Sequence, residues 1–286
     1  MRRKLLISIV TWNNSLEIDS LLESLTFQEG LPRETGVVIS DNASQDGTAD
    51  IVKQGYEQRV LVIENSENLG FGNAHNRVFE NIEADYYLLL NPDCYFEDPL
   101  AIKKLLDYAD QNPDAWITGP KILNPDNTLQ YSARSFPDPR ATLFRNTFLG
   151  RLFPNNPYVK RYLRTDADHN EISPADWISG AAMLIRRELI DKTGGFDPRY
   201  FMYVEDMDLC KQCSLMDKGV MYFPPCVVYH RIGASSDKAP KAMIAAHHRS
   251  MLLYYQKYAG FYERMFLSPF VALALAVRRT LMILDL

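Results

Sequence analysis

The apolar run Tyr86-Tyr87-Leu88-Leu89-Leu90 stops abruptly at Asn91-Pro92-Asp93. An unbroken run of this length reads as a strand buried on both faces, because a half-solvated strand alternates apolar with polar residues. Proline cannot extend a central ladder, so the strand ends on a rigid turn carrying an amide and a carboxylate. Comparable runs recur at residues 4–11, 36–40 and 60–63. Between them lie helical patterns: Leu16, Leu21, Leu22 and Leu25 after Ser15 as cap, then Ala49, Ile51 and Val52 with Ser44 or Asp46 as cap. Strands alternating with helices at this spacing predict right-handed βαβ crossovers and a mostly parallel α/β sheet.

In such sheets ligands collect at the carboxyl edge, where Thr11-Trp12-Asn13, Asp41-Asn42 and Asn91-Pro92-Asp93 all fall. That convergence predicts a nucleotide pocket. A dinucleotide-binding dehydrogenase would place a ribose at Asp41, but its G-x-G-x-x-G turn is missing, and so is a G-x-x-x-x-G-K-[ST] phosphate loop. An exposed Asp93 beside the Asn91 amide is hard-oxygen ligation suited to Mg or Mn shared with a substrate's phosphates. Taken alone, the same residues also describe an ordinary strand ending in a turn.

The 286 residues, 47% hydrophobic and 23% charged, suffice for one large core or two coupled ones. A net charge of −5 opposes nucleic acid as the main partner. Met1-Arg2-Arg3-Lys4 and the apolar residues after it imitate a signal peptide but run into Thr11-Trp12 without a small-residue cleavage site, so a cytoplasmic protein is expected. Cys94, Cys210, Cys213 and Cys226 are expected to be reduced and buried; the C-x-x-C at 210–213 lies in a helical pattern without the further ligands of a zinc site.

Further along, Asn68-Leu69-Gly70-Phe71-Gly72 precedes a helix whose amide-rich first turns can face an anion. A helix is expected over 100–109 and a strand over 115–118. Residues 132–170 read as irregular, rich in proline and carrying Arg134, Arg140, Arg145, Arg151, Lys160, Arg161 and Arg164; such a segment is either a functional flap that meets phosphate or a solvated loop. A strand is expected over 176–185. Glu205-Asp206-Met207-Asp208 then opens a helix directly after the aromatic Tyr200-Phe201-Met202-Tyr203. Acidic residues suit a first helical turn, yet a carboxylate beside aromatics in a cleft is also a candidate general base. His230 ends a strand and is a candidate metal ligand or a structural histidine.

Together the ordered motifs resemble family 2 of the inverting nucleotide-sugar glycosyltransferases, with the GT-A fold, and particularly its rhamnosyltransferase-like branch. They are Ile9 to Asn13, Asp41 to Gly47, Asn68 to Asn76, Asn91-Pro92-Asp93, Ser179 to Leu184, Gly194 to Asp197, Phe201 to Cys210, and His230. The resemblance implies a nucleotide-sugar donor held by Thr11, Asn13, Asp41, Asn68, Asn76, Asn91 and Asp93. It implies a divalent metal (Mg or Mn) on Asp93 and His230, with Asn91 where the family's first D-x-D aspartate stands. Asp206 matches the catalytic base, and Trp177, Gly180, Ala181 and Glu205 the acceptor site. Sequence alone leaves open whether Glu205 or Asp206 takes the proton. An inactive carbohydrate-binding protein of the same fold and a nucleotidyltransferase are the alternatives.

The expected organisation is a nucleotide-sugar-binding half (1–120), an acceptor-binding half of the same GT-A domain (121–235) and a C-terminal helical segment (236–286). Met265 to Val277 is too short to span a bilayer needing about 20 residues. It reads as an interfacial helix with Arg278 and Arg279 along headgroups and Phe270, Leu273, Leu281 and Ile283 dipping inward. The other reading is a helix packed on the core or on a second copy in a homodimer. Family members commonly extend lipid-linked glycans, so a glycan or lipid-linked acceptor and a place on the inner face of the membrane are what the resemblance implies.

Overall fold

The computed structural model describes residues 2–56, 58–138, 141, 144–145, 148–231 and 240–284. The first half alternates as expected: β1 (Arg3–Thr11), α1 (Ile18–Thr26), β2 (Thr35–Asp41), α2 (Thr48–Tyr56), β3 (Val60–Glu64), α3 (Phe71–Asn81) and β4 (Ala84–Leu90). These strands lie parallel in the order β3-β2-β1-β4. Along β4, Tyr86, Leu88 and Leu90 enter one hydrophobic cluster while Tyr87 and Leu89 enter the other, which is why the run is apolar at every position.

Beyond β4 come β5 (Cys94–Tyr95), α4 (Ala101–Gln111), β6 (Ala115–Leu123), β7 (Leu129–Gln130), β8 (Ala133–Arg134), α5 (Phe148–Leu152), α6 (Pro157–Leu163), β9 (Ser173–Pro174) and β10 (Trp177–Ile178). Then follow β11 (Ala182–Arg186), α7 (Arg187–Thr193), α8 (Glu205–Leu215), β12 (Gly219–His230), α9 (Pro240–Tyr258), α10 (Phe261–Phe266) and α11 (Ser268–Leu284). The sheet continues β4-β11-β6-β12-β5, with β11 antiparallel to both its neighbours and β12 parallel to β6. The chain leaves β1 toward β2 on one side, and β4 inserts on the other. The carboxyl ends of β1 and β4 therefore flank a crevice at the switch of direction. Residue 120, the expected boundary between halves, falls inside β6.

Several local expectations change. Leu16 is 86% exposed, because α1 begins at Ile18 behind Glu17 and Ser15 is not its cap; the Ser15 N–H instead donates to Asp46. The strand expected over 176–185 is broken in two. β10 pairs with β8 in a separate ladder, β11 joins the main sheet, and Ser179-Gly180-Ala181 turns between them. The Gly180 N–H donates to the Asp206 carboxylate at 2.9 Å, so the backbone at the break is satisfied by a side chain and not by a strand. Among its described residues the segment 132–170 holds the helices α5 and α6 and the strand β8; Arg140 lies outside the described residues.

The C-terminal helices are tied to this body. Lys257 Nζ on α9 donates to Asp208 at 2.8 Å and Asp197 at 2.9 Å, and the Tyr258 hydroxyl donates to Asp208 at 2.9 Å. Asp208, the last acidic residue of Glu205-Asp206-Met207-Asp208, is thus a buried structural anchor. The α11 helix packs back on α9, and Leu275 is buried on it. All four cysteines are unpaired and buried.

Candidate active site

A cavity of about 720 Å³ opens at the carboxyl edge, lined by the turns after β1, β2 and β4, the 177–181 break, the start of α8, and α9 and α11. Gly70 and the 201–204 loop form part of its wall. Gly70 has φ +80°, and a Cβ there would lie 1.8 Å from the Phe201 carbonyl oxygen, so only glycine permits this approach. The loop in turn holds Tyr203 and Val204 at φ +67° and +74°. A β-branched residue in that region is strained, and the strain falls immediately before Glu205 and Asp206.

The two carboxylates have different environments. Glu205 is 4% exposed, and its Oε2 is buried without a hydrogen-bond partner. Burial first, then the neighbouring Asp206, push its pKa up. Asp206 is less buried and lines the cavity, with Oδ2 receiving the Gly180 N–H and Oδ1 the Met207 N–H. Burial raises its pKa, and these two N–H donors oppose the rise.

Asp93 is 7% exposed and not the exposed turn residue expected. The two-residue β5 pairs with β12 in the register His230↔Cys94, and this covers the turn. Asp93 Oδ1 lies 3.1 Å from His230 Nε2, yet no hydrogen-bond donor is directed at it. The tautomer explains why. Gln130 Nε2 donates to the His230 carbonyl and to Asn124 Oδ1, each at 2.7 Å, which leaves Gln130 Oε1 to accept from His230 Nδ1 at 2.9 Å. His230 Nδ1 therefore carries the proton, and Nε2 presents a lone pair. The Asn91 amide is the donor that lone pair meets, at 3.3 Å.

An oxygen and a nitrogen lone pair facing one another in a buried space suit a cation, so Asp93 and His230 fit a divalent metal. Cys94 Sγ falls in the same cluster, whose ligand atoms lie within 4.8 Å of one another. Its thiol donates to the Ala181 carbonyl and burial raises its pKa, so it stays protonated and is a poor ligand for a hard ion.

The remaining expected residues divide. Asn68, Asn91, Asp93, Trp177, Gly180, Ala181, Glu205, Asp206 and His230 all line the one cavity. Thr11, Asn13 and Asp41 do not line it. The Thr11 hydroxyl and the Ser44 hydroxyl and N–H donate to Asp41, while Asn13 exchanges bonds with Ser44 and Gln45. Trp12, Asn14 and Asn42 reach the cavity in their place. Asn76 departs from its expected place beside the diphosphate. Its amide makes a two-point bond with the Phe196 backbone, both at 2.8 Å, clamping the 194–197 turn. Sequence reading missed Gln130, which sits on a two-residue strand with no pattern to mark it.

The fold, with a crevice at the switch point and the Asp93–His230 pair and the Asp206 carboxylate on one cavity, is that of the GT-A glycosyltransferases, and comparison places the chain more closely. Residues 6–194 match the family model described as glycosyl transferase family 2, and the chain belongs to that family. It is a glycosyltransferase, and several of its relatives are rhamnosyltransferases. It is 32% identical over 259 residues to an N-acetylglucosaminyl-diphospho-decaprenol L-rhamnosyltransferase of Mycobacterium tuberculosis, covering 86% of this chain and 81% of that one. It is 28% identical over 169 residues to the rhamnosyltransferase WbbL of Escherichia coli, covering 56% and 60%. Its fold is similar to that of a mannosyltransferase from Pyrobaculum calidifontis in complex with GDP-Man and Mn2+. There the TM-score is 0.61 at 14% identity, covering 97% of this chain and 74% of that one.

Proposed function

We propose that the chain is a metal-dependent inverting glycosyltransferase. It moves a sugar, with rhamnose the choice its relatives favour, from a nucleoside diphosphate to a hydroxyl of a glycan or lipid-linked acceptor in cell-surface polysaccharide synthesis. The observation that carries this reading is the pairing, on one cavity, of a cation-suited Asp93–His230 pair with one cavity-facing carboxylate, Asp206. Asn91, Asp93 and His230 would hold Mg or Mn with the donor diphosphate, and the ion supplies charge stabilisation for the leaving diphosphate in place of a general acid. Asp206 then takes the proton of the acceptor hydroxyl as that oxygen attacks the anomeric carbon on the face opposite the diphosphate, which inverts it. The Gly180 and Met207 N–H groups hold the carboxylate in place, and burial keeps it more basic than a free carboxylate. Trp177 and the 179–181 turn supply the acceptor's floor.

A panel of nucleotide sugars, offered with Mn2+ and a glycan acceptor, tests the reading. Release of nucleoside diphosphate with transfer of the sugar is expected. Release of pyrophosphate would identify a nucleotidyltransferase, and binding without turnover an inactive carbohydrate-binding protein.

The C-terminal helices support work at the inner membrane face. No helix among the described residues is long and apolar enough to cross a bilayer. However, Phe261, Tyr262, Phe266, Phe270, Leu273 and Leu281 are all at least half exposed on α10 and α11. Arg278 does not join Arg279 at the headgroups as sequence reading expects; it turns inward, bonded to His248 and the Arg145 carbonyl. Substituting both Phe270 and Leu273 by glutamate should abolish cosedimentation with anionic vesicles while leaving turnover of soluble acceptors within about twofold. Unchanged vesicle binding would show that this face packs on a protein surface such as a second copy.

A further inference from the structure

Part of the cavity lining, Arg134, Arg145 and Arg278 with Met243, Ile244, Met251 and Met282, is cationic and apolar, and the reaction just described assigns it no role. Contacts lead there stepwise. The Arg134 guanidinium lies 4.9 Å from the Trp177 ring and 6.0 Å from the Tyr162 ring. Arg145 covers the same Tyr162 ring at 5.0 Å and donates to its hydroxyl at 3.0 Å. Arg278 reaches across from α11, donating to the Arg145 carbonyl at 3.1 Å and to His248 Nε2 at 3.0 Å.

These contacts are all neutral. Among the described residues, no carboxylate lies within ion-pair distance of Arg134, Arg145 or Arg278, and Arg278 Nε is buried with no partner at all. Burial lowers the pKa of Arg145 and Arg278, and each feels repulsion from another arginine of the group. The Asp206 carboxylate feels the charge of Arg134, but no carboxylate serves Arg145 or Arg278, and two buried guanidinium groups left in this way are costly unless a ligand supplies an anion. Around them Met243, Ile244, Met251 and Met282 form an adaptable apolar wall. Met282 and Arg278 belong to the helix whose outer side carries the exposed Phe270, Leu273 and Leu281.

We propose that Arg145 and Arg278, with Arg134, seat the diphosphate of a polyprenyl-diphosphate-linked acceptor, whose first isoprene units lie along the methionines toward the α11 surface. This rests on reading the cavity as a glycosyl-transfer site. Planar guanidinium forks match phosphate oxygens, and the mixture of cation and soft apolar wall matches a lipid diphosphate better than a free sugar. A donor diphosphate is the other source of the same chemistry. Its proposed place is at Asp93 and His230, where a metal would supply the positive charge.

Binding to the full chain separates the sources without any turnover. Farnesyl diphosphate is the probe for the acceptor end, and a nucleoside diphosphate with Mn2+ the probe for the donor end. Arg278→Gln and Arg145→Gln should each weaken farnesyl diphosphate binding by about tenfold or more, with Arg278→Lys intermediate, and leave nucleoside diphosphate binding within about twofold. Equal loss of both probes would assign the arginines to the donor, and unchanged farnesyl diphosphate binding would remove the site. Should a glutamine variant fail to fold, the unaltered protein still decides: it must prefer farnesyl diphosphate to farnesol by about tenfold and lose that preference at high salt. Equal affinities overturn the proposal. A protein that passes these tests but transfers no sugar would refute the transferase reading and leave the lipid-diphosphate site standing.

Discussion

Replacing Asp206 by asparagine is expected to lower turnover by roughly two to four orders of magnitude while leaving donor affinity nearly unchanged, as loss of a general base does. Asparagine keeps the shape of the side chain and can still accept the Gly180 N–H, so the 179–181 turn should hold. The pH profile adds an independent readout. Burial raises the Asp206 pKa, and a base must be ionised to act, so kcat/KM in the unaltered enzyme should fall with acidity along a limb lying above the usual carboxylate range. That limb should vanish in the variant. A variant that instead loses donor affinity and keeps its turnover would make Asp206 a binding or positioning residue, and Glu205→Gln would then be the next substitution to measure.

Replacing Asp93 by alanine is expected to remove metal-dependent turnover, by roughly three orders of magnitude or more, since charge stabilisation of a leaving group is worth several kcal/mol. The chain should stay folded. Asp93 Oδ1 receives no hydrogen bond, so its removal orphans no donor, and the backbone carbonyl that accepts the Arg231 N–H remains. Thermal unfolding with and without Mn2+ supplies a readout apart from activity: metal should stabilise the unaltered protein and have little effect on the variant. Full activity of Asp93→Ala in chelator would dismiss the metal assignment.

The fold was legible because its signals are local. The central parallel strands β1 and β4 are buried on both faces over most of their length and so read as unbroken apolar runs, and the turn residues must follow where the run ends. Thr11-Trp12-Asn13, Asp41-Asn42 and Asn91-Pro92-Asp93 therefore fall at one edge of one sheet on sequence grounds. The resemblance to a family then supplied roles that no periodicity contains, such as those of Asp206 and His230.

What the sequence could not determine was which polar group faces the cavity and which is consumed inside the protein. Asn76 and Asn68 look alike in one motif, yet Asn76 is spent on the Phe196 backbone, 120 residues away, while Asn68 lines the cavity. Glu205, Asp206 and Asp208 share a first helical turn. Only packing makes Asp208 the partner of Lys257, buries Glu205, and leaves Asp206 open to the cavity. The break at Gly180 and the burial of Asp93 likewise depend on contacts with α8 and β12. Sequence by itself determined the strands, the order of the motifs and the edge where they meet, because burial on both faces leaves a mark at every residue of a strand. Tertiary structure alone decided the fate of each amide, carboxylate and guanidinium, because that depends on partners up to 139 residues distant whose approach leaves no local pattern.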